Sequence, residues 1–294
     1  MSIAVAISVH DGVVLAADSA STLAAAGIVG LPGMTGPQQV AMNVYNNANK
    51  IANLYKRKPI GCVAFGSGSI GSASISTLLK DFRYRLQSGQ EKEFNSESYT
   101  MQRVGQLLSN FLEQRARRLG PNDPKPTLGL MLAGYSAEQI PGEVEALGEV
   151  WSIGLQNGVP TPLQNMRPQG PVGISFAGES ESLARLLTGF SPHLPQILQS
   201  VMKPTPSAPE LARLMGFVGS KLQAPVVFAP MPIQDTIDLA EWLVQTAIMY
   251  SRFSPGAPVV GGPIESAAIT KHEGFKWIRR KHYFQREFNQ EVGE

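Results

Sequence analysis

One hairpin near the start of the chain constrains it most. Residues 3–9 and 13–17 are apolar runs separated by Asp11-Gly12. Asp-Gly between two such runs is hairpin chemistry, because glycine supplies the positive φ that a tight turn requires. The second run ends in Leu15-Ala-Ala-Asp18-Ser-Ala-Ser21-Thr22. Pairing the two runs brings Asp18 beside the start of the first strand, where Ser2 stands. Once the initiator Met1 is removed, Ser2 carries a hydroxyl and a free α-amine on one residue. The spacing predicts a nucleophile and its own base, with a carboxylate nearby.

The rest of the chain alternates blocks rather than single elements. Runs 50–55 and 60–65 predict a second pair of strands. Two helices follow, over 70–86 and over 98–119, the latter with Val104, Leu107, Leu108, Phe111 and Leu112 at three- and four-residue spacing. The loop Gly120-Pro-Asn-Asp-Pro-Lys-Pro126 ends it. Strands are predicted at 128–133, 149–153 and 174–177, helices at 180–187 and 233–250, and closing strands at 264–270 and 275–278. Segment 23–46 shows no period and predicts a long connection of the kind that serves as a binding loop. Proline-rich joints mark 190–232 as an insertion of short helices. Consecutive helices between groups of strands argue against a βαβ alternation and for a layered α+β fold. The 294 residues are read as one domain.

Composition narrows the function. A formal net charge of +2 gives no reason to expect nucleic acid as a partner, and the Arg115-Arg117-Arg118 and Arg279-Arg280-Lys281 clusters read as solvated faces. Cys62 is the only cysteine, so no internal disulfide can form, and its place in an apolar strand marks a structural thiol. The histidines (His10, His193, His272, His282) lack metal-ligand spacing. No apolar run reaches membrane-spanning length and no leader peptide is evident, so a cytoplasmic location is expected.

Amide hydrolysis needs a nucleophile, a proton acceptor and donors for the oxyanion. A free α-amine has a pKa of roughly 7.7–8.0, near neutrality, where a general base works best. A lysine beside the hydroxyl lowers the cost of the alkoxide, and an aspartate orients that lysine. Lys50 and Asp18 are the candidates. Taken singly, each reads as an ordinary edge-strand lysine and turn acid. Phe65-Gly66-Ser-Gly68-Ser-Ile-Gly71 offers backbone N–H groups between a strand and a helix. It also matches the dinucleotide fingerprint literally, but a second helix follows where that fold needs a parallel strand.

Together, Ser2-Ile-Ala-Val-Ala-Ile, Asp11-Gly-Val-Val-Leu-Ala-Ala-Asp18-Ser, Asn49-Lys50-Ile51 and Gly66-Ser-Gly68-Ser resemble the proteasome β-subunit family of N-terminal nucleophile hydrolases, which includes the HslV peptidase and the Anbu proteins. The resemblance covers about the first 80 residues and returns in fragments at Phe176-Ala-Gly-Glu-Ser180 and Val260-Gly-Gly-Pro-Ile264. It implies a four-layer αββα sandwich, with loop 23–46 and insertion 190–232 added. By position it makes Ser2 the nucleophile, Lys50 and Asp18 its ion pair, the Gly68 N–H an oxyanion donor, and Ser21 and Thr22 the strand that binds substrate backbone. The implied function is peptide or amide hydrolysis through an acyl-enzyme, with no cofactor and no metal, in a homo-oligomeric ring or spiral fed by an unfolding ATPase. Two departures point elsewhere. Glu179 stands where the family has a serine, and Ala257 and Val260 replace its Asp-x-x-Ser pair. These favour the alternative of a catalytically silent structural or peptide-binding subunit.

Overall fold

The computed structural model describes residues 2–28, 37–139, 147–167, 170 and 172–283. Met1 lies outside them, as do 29–36 of the predicted connection 23–46. The hairpin read from Asp11-Gly12 is present as β1 (Ile3–Val9) and β2 (Gly12–Ala17), in a register that sets Ala4 opposite Ala17 and Ile7 opposite Val14. Next come β3 (Ser21–Ile28), β4 (Pro37–Tyr45), β5 (Ile51–Asn53), β6 (Ile60–Gly66) and the short pair β7 (Ser69–Ile70) and β8 (Ala73–Ser74). After α1 (Ile75–Gln87) and α2 (Met101–Ala116) the chain returns to strands. These are β9 (Leu128–Gly134), β10 (Glu149–Gln156), β11 (Val159–Pro160), β12 (Gln164–Asn165) and β13 (Gly173–Gly178). The last part holds α3 (Glu181–Thr188), α4 (Leu194–Val201), α5 (Ala208–Leu222), α6 (Ile233–Phe253), β14 (Glu265–Thr270) and β15 (Gly274–Arg279). The described residues thus form an α+β fold of antiparallel sheets and six helices.

Two segments differ from the sequence expectation. The stretch read as an aperiodic connection contains β3 and β4, paired from Ser21↔Tyr45 to Ile28↔Pro37. The β3 sequence Leu23-Ala-Ala-Ala-Gly27-Ile28 has no polar alternation, so a period test is blind to it. The first helix starts at Ile75 rather than 70, because residues 69–74 turn back as β7 and β8. Ser74 then caps the helix by accepting the Thr77 N–H at 3.1 Å. Thr100 caps α2 in the same way through Arg103.

One sheet runs β13-β1-β2-β14-β15 and a larger one β11-β10-β9-β6-β5, with β12 also on β10. Alternate residues of β1 and β2 serve different cores. Ala4, Ala6, Val13, Leu15 and Ala17 pack with Ile51, Val63, Met131, Ala133 and Val150 of the larger sheet. Ile3, Val5, Ile7, Val14 and Ala16 pack with Leu183 of α3 and Ile237, Ala240, Leu243 and Val244 of α6. On the larger sheet, Cys62, Leu130 and Leu132 pack with Leu78, Phe82, Leu108 and Phe111 of α1 and α2. Strands covered on both faces have no need of polar alternation, which explains why β1 and β2 are buried at every position. Cys62 is fully buried and its thiol pKa is pushed up by desolvation, as suits a structural residue. No helix among the described residues is long and apolar enough to cross a membrane.

The register decides which residues meet. Ser2 precedes β1, Asp18 follows β2, Glu179 follows β13 and Glu265 opens β14, so all four lie at one end of the same sheet. Gly178, opposite Ile3, has φ +98°, and a Cβ there would overlap the Ser2 carbonyl oxygen. Gly178→Ala is expected to destabilise the fold by about 1–3 kcal/mol, read as a lowered denaturant midpoint.

Candidate active site

The Asp18 carboxylate organises this end of the sheet. It is fully buried and directly follows the last residue of β2. Its Oδ1 accepts the Ile3 N–H at 3.0 Å and Lys50 Nζ at 2.5 Å. Its Oδ2 accepts the Ala20 N–H and the Gly261 N–H, each at 3.0 Å. The four donors replace the water that the buried carboxylate gave up. One oxygen therefore joins the peptide that follows Ser2 to the amine of Lys50.

Lys50 reaches this position from the other sheet. It directly precedes β5, and its carbonyl accepts the Ala64 N–H of β6 at 2.9 Å. Its backbone N–H donates to Glu265 Oε2 at 3.2 Å. The side chain is buried, not solvated as an edge-strand lysine would be. Burial is the main influence on its amine and holds the pKa below the ordinary lysine value. The Asp18 charge and hydrogen bond oppose that shift, and the like charge of Lys281 adds to it.

A second ion pair, its carboxylate buried and its lysine partly so, lies behind the first. Lys281 Nζ pairs with Glu265 Oε2 at 3.3 Å and donates to the Ala48 carbonyl at 2.7 Å and to the Ser19 hydroxyl. Ser19 in turn donates to the Pro263 carbonyl. This set ties the turn after β2, the approach to β5 and the start of β14 together. The sequence reading did not single out Glu265, Ser19 or Gly261. Glu265 carried a usable signal, as an acid inside the apolar run Ile264-Glu-Ser-Ala-Ala-Ile269. Lys281 was read as part of a solvated tail, yet its side chain is only 14% exposed.

Ser2, Ser21, Thr22, Lys50, Gly68 and Glu179 all line one open cleft of about 1730 Å³. Ser2 is nearly buried, and its carbonyl accepts the Glu179 N–H at 2.7 Å, which fixes the residue at the edge of β1. The Gly68 carbonyl accepts the Ile75 N–H at 2.9 Å. The Gly68 Cα faces Ser21 closely enough that an added Cβ would lie 3.5 Å from its hydroxyl. The Thr22 hydroxyl is buried without a hydrogen-bond partner among the described residues. Among the described residues β3 pairs with β4 alone, and no strand lies on its other edge. Of the two segments added to the core, 23–46 contributes Leu23 to the cleft and 190–232 contributes His193.

The positions of the two departures are equally clear. Ala257 lines the cleft and supplies no polar group. Val260 is buried, with its N–H on Ser251 Oγ at 3.4 Å. Ser251 and Ser254, from the end of α6, also line the cleft and are hydroxyls the sequence reading passed over. No group of three His, Cys, Asp or Glu side chains among the described residues is placed to hold a metal ion. Neither a scan against protein-family models nor a search of curated proteins finds a match for this chain.

Proposed function

We propose that this protein is an N-terminal-serine amide or peptide hydrolase. The observation that carries the reading is the single Asp18 oxygen bonded both to Lys50 Nζ and to the backbone immediately after Ser2, at a cleft that also holds Gly68. After loss of Met1, the Ser2 hydroxyl attacks the amide carbonyl while the Ser2 amine, through water, takes its proton. The Lys50 cation stabilises the developing alkoxide, Asp18 holds Lys50, and the Gly68 N–H receives the oxyanion. The amine leaves with the proton, and water then releases the acyl group from Ser2. The edge of β3 that carries no strand among the described residues, opening with Ser21 and Thr22, suits an extended peptide bound by strand addition.

The fold belongs to the same proposal. A four-layer αββα arrangement accounts for three apolar clusters, one joining the two main sheets and one between each sheet and its helices. Assembly into a homo-oligomeric ring or spiral, fed by an unfolding ATPase, follows from the resemblance. Self-association gains support from exposed Trp242, Met249 and Phe253, which fall on one stripe of α6. The second reading, a silent peptide-binding subunit, is favoured by Ala257, which leaves the cleft without the carboxylate an active relative carries there.

The deciding experiment is an intact mass of the purified protein before and after a β-lactone or epoxyketone probe. A serine amino terminus and one covalent adduct on Ser2 support the hydrolase. A retained methionine, or a free Ser2 that takes no probe, leaves the silent subunit. Lys281 gives a sharper readout. Its charge pulls the Lys50 pKa down, so Lys281→Met removes that pull and moves the pKa up. Labelling that depends on a charged Lys50 declines as pH rises through this pKa. The alkaline decline is therefore expected at higher pH in Lys281→Met than in the wild type, measured as labelling rate against pH.

A further inference from the structure

The Ser2 carbonyl accepts the Glu179 N–H at 2.7 Å, one step beyond the paired residues Ile3 and Gly178. Ser2 and Glu179 therefore stand opposite each other at the end of the β1–β13 ladder. The N–H and C=O of one residue leave an extended strand on the same side. Ile3 shows the alternation, since its N–H donates to Asp18 Oδ1 and its C=O accepts the Asp18 N–H, both on the β2 side. The Ser2 nitrogen consequently faces β13 and Glu179. That nitrogen becomes the α-amine once Met1 is lost. Opposed residues of an antiparallel pair also place their side chains on one face, with Cβ atoms roughly 4.5–5.5 Å apart. Both residues line the same cleft.

The neighbouring polar groups are already engaged. Three carboxylates line the cleft, those of Asp123, Glu179 and Glu181. Asp123 accepts the Gly120 N–H at 2.7 Å, and Glu181 is held by Arg185 and Ser191. Ser251 Oγ accepts the Val260 N–H, and Ser254 Oγ donates to the Tyr250 carbonyl at 2.7 Å. The part-buried Glu179 carboxylate, by contrast, has no hydrogen-bond or ion-pair partner among the described residues.

We propose, on the hydrolase reading of this cleft, that Glu179 is a positioning residue for the Ser2 amine, its carboxylate accepting a hydrogen bond that holds the amine beside the Ser2 hydroxyl. As the hydroxyl attacks, its proton passes through water to the amine. The ammonium so formed donates to Glu179 until it returns the proton to the leaving amine. Glu179 itself exchanges no proton. An opposite charge favours the ammonium, so the group that orients the amine also keeps it protonated to higher pH. The other charged and titratable groups around the amine are Lys50 and Asp18, Lys281 and Glu265 behind them, Glu181 and His193 after β13, and Tyr250 of α6. All of these stay in place when Glu179 alone is changed.

The test uses the mature chain, released from an amino-terminal fusion so that Ser2 is its first residue. Labelling with acetic anhydride at graded pH, followed by mass analysis of the amino-terminal peptide, reads the α-amine pKa. Glu179→Gln keeps the backbone N–H and is expected to lower that pKa by about half a unit or more. Glu181→Gln is expected to lower it less. The acid limb of β-lactone labelling should move to lower pH with the amine in Glu179→Gln. Its plateau should fall about tenfold or more as the amine loses its orientation. An amine pKa in Glu179→Gln within about 0.2 unit of the wild type, an equal drop in Glu181→Gln, or an undiminished plateau overturns the proposal. A wild-type chain that takes no probe ends the hydrolase reading instead, and the amine titration still decides whether Glu179 holds the Ser2 nitrogen.

Discussion

Asp18→Ala is expected to cost about 3–5 kcal/mol of folding stability, the range seen when one partner of a buried ion pair is removed. The substitution strands the buried Lys50 amine without a counter-charge. It also leaves the N–H groups of Ile3, Ala20 and Gly261 without their acceptor. Those three donors come from the start of β1, the turn after β2 and the turn before β14. The loss is therefore structural as well as electrostatic. Asp18→Asn is the milder change, since the amide oxygen can still accept from two of the donors while its NH2 faces others. Urea denaturation of both variants checks the order, with alanine lowest, asparagine intermediate and wild type highest. A loss under about 1 kcal/mol for alanine, the scale of an exposed pair, would show that the carboxylate is not the buried hub described above. Lys50→Met is a useful companion, because it removes the cation and keeps most of the apolar volume.

Ser2→Ala is expected to abolish the covalent adduct and to lower amide hydrolysis by at least about 10³-fold, with folding nearly unchanged. Among the described residues the Ser2 hydroxyl makes no hydrogen bond on which the fold depends. What fixes this residue is its carbonyl on the Glu179 N–H and the β1 register that follows, and alanine keeps both. A combination of lost labelling and preserved denaturation midpoint isolates the chemistry from the scaffold. Residual labelling elsewhere in the chain, mapped by peptide mass, would move the nucleophile to another residue. Asp18 and Ser2 variants therefore separate cleanly. One should chiefly lose stability, the other chiefly reactivity.

Neither prediction would be available from a motif alone. Asp18 and Lys50 each looked ordinary as isolated letters, and Gly68 sat in a string that also matches a nucleotide-binding pattern. What made them a set was the resemblance of three separate segments to the proteasome β-subunit family. Glu179 and Ala257 were visible as departures at once, yet only the cleft shows that both positions border the same space as Ser2. Ser251 and Ser254 could not be found in advance, because hydroxyls at a helix end are common and their relevance depends on where that helix stops.

What the sequence determined by itself is local. Asp11-Gly12 between apolar runs set the β1–β2 hairpin, and two-residue periodicity then forced Asp18 to emerge beside the start of β1. Helical spacing in 101–116 likewise set the apolar face of α2. The tertiary structure decided the long-range company of those residues. Lys50 meets Asp18 because two sheets pack through Ala4, Ala17 and Val63, and the small residues there bring the layers close. Glu265 and Lys281 join from more than 200 residues away along the chain, through the pairing of β14 with β2. The 23–46 segment shows the same limit. Its first strand carries too little polar contrast to declare itself and is recognised only by the partner it finds. Short-range pattern fixes backbone shape because turn and pleat geometry are properties of neighbouring residues. Burial, charge pairing and the cleft depend on contacts that exist only once the layers have closed.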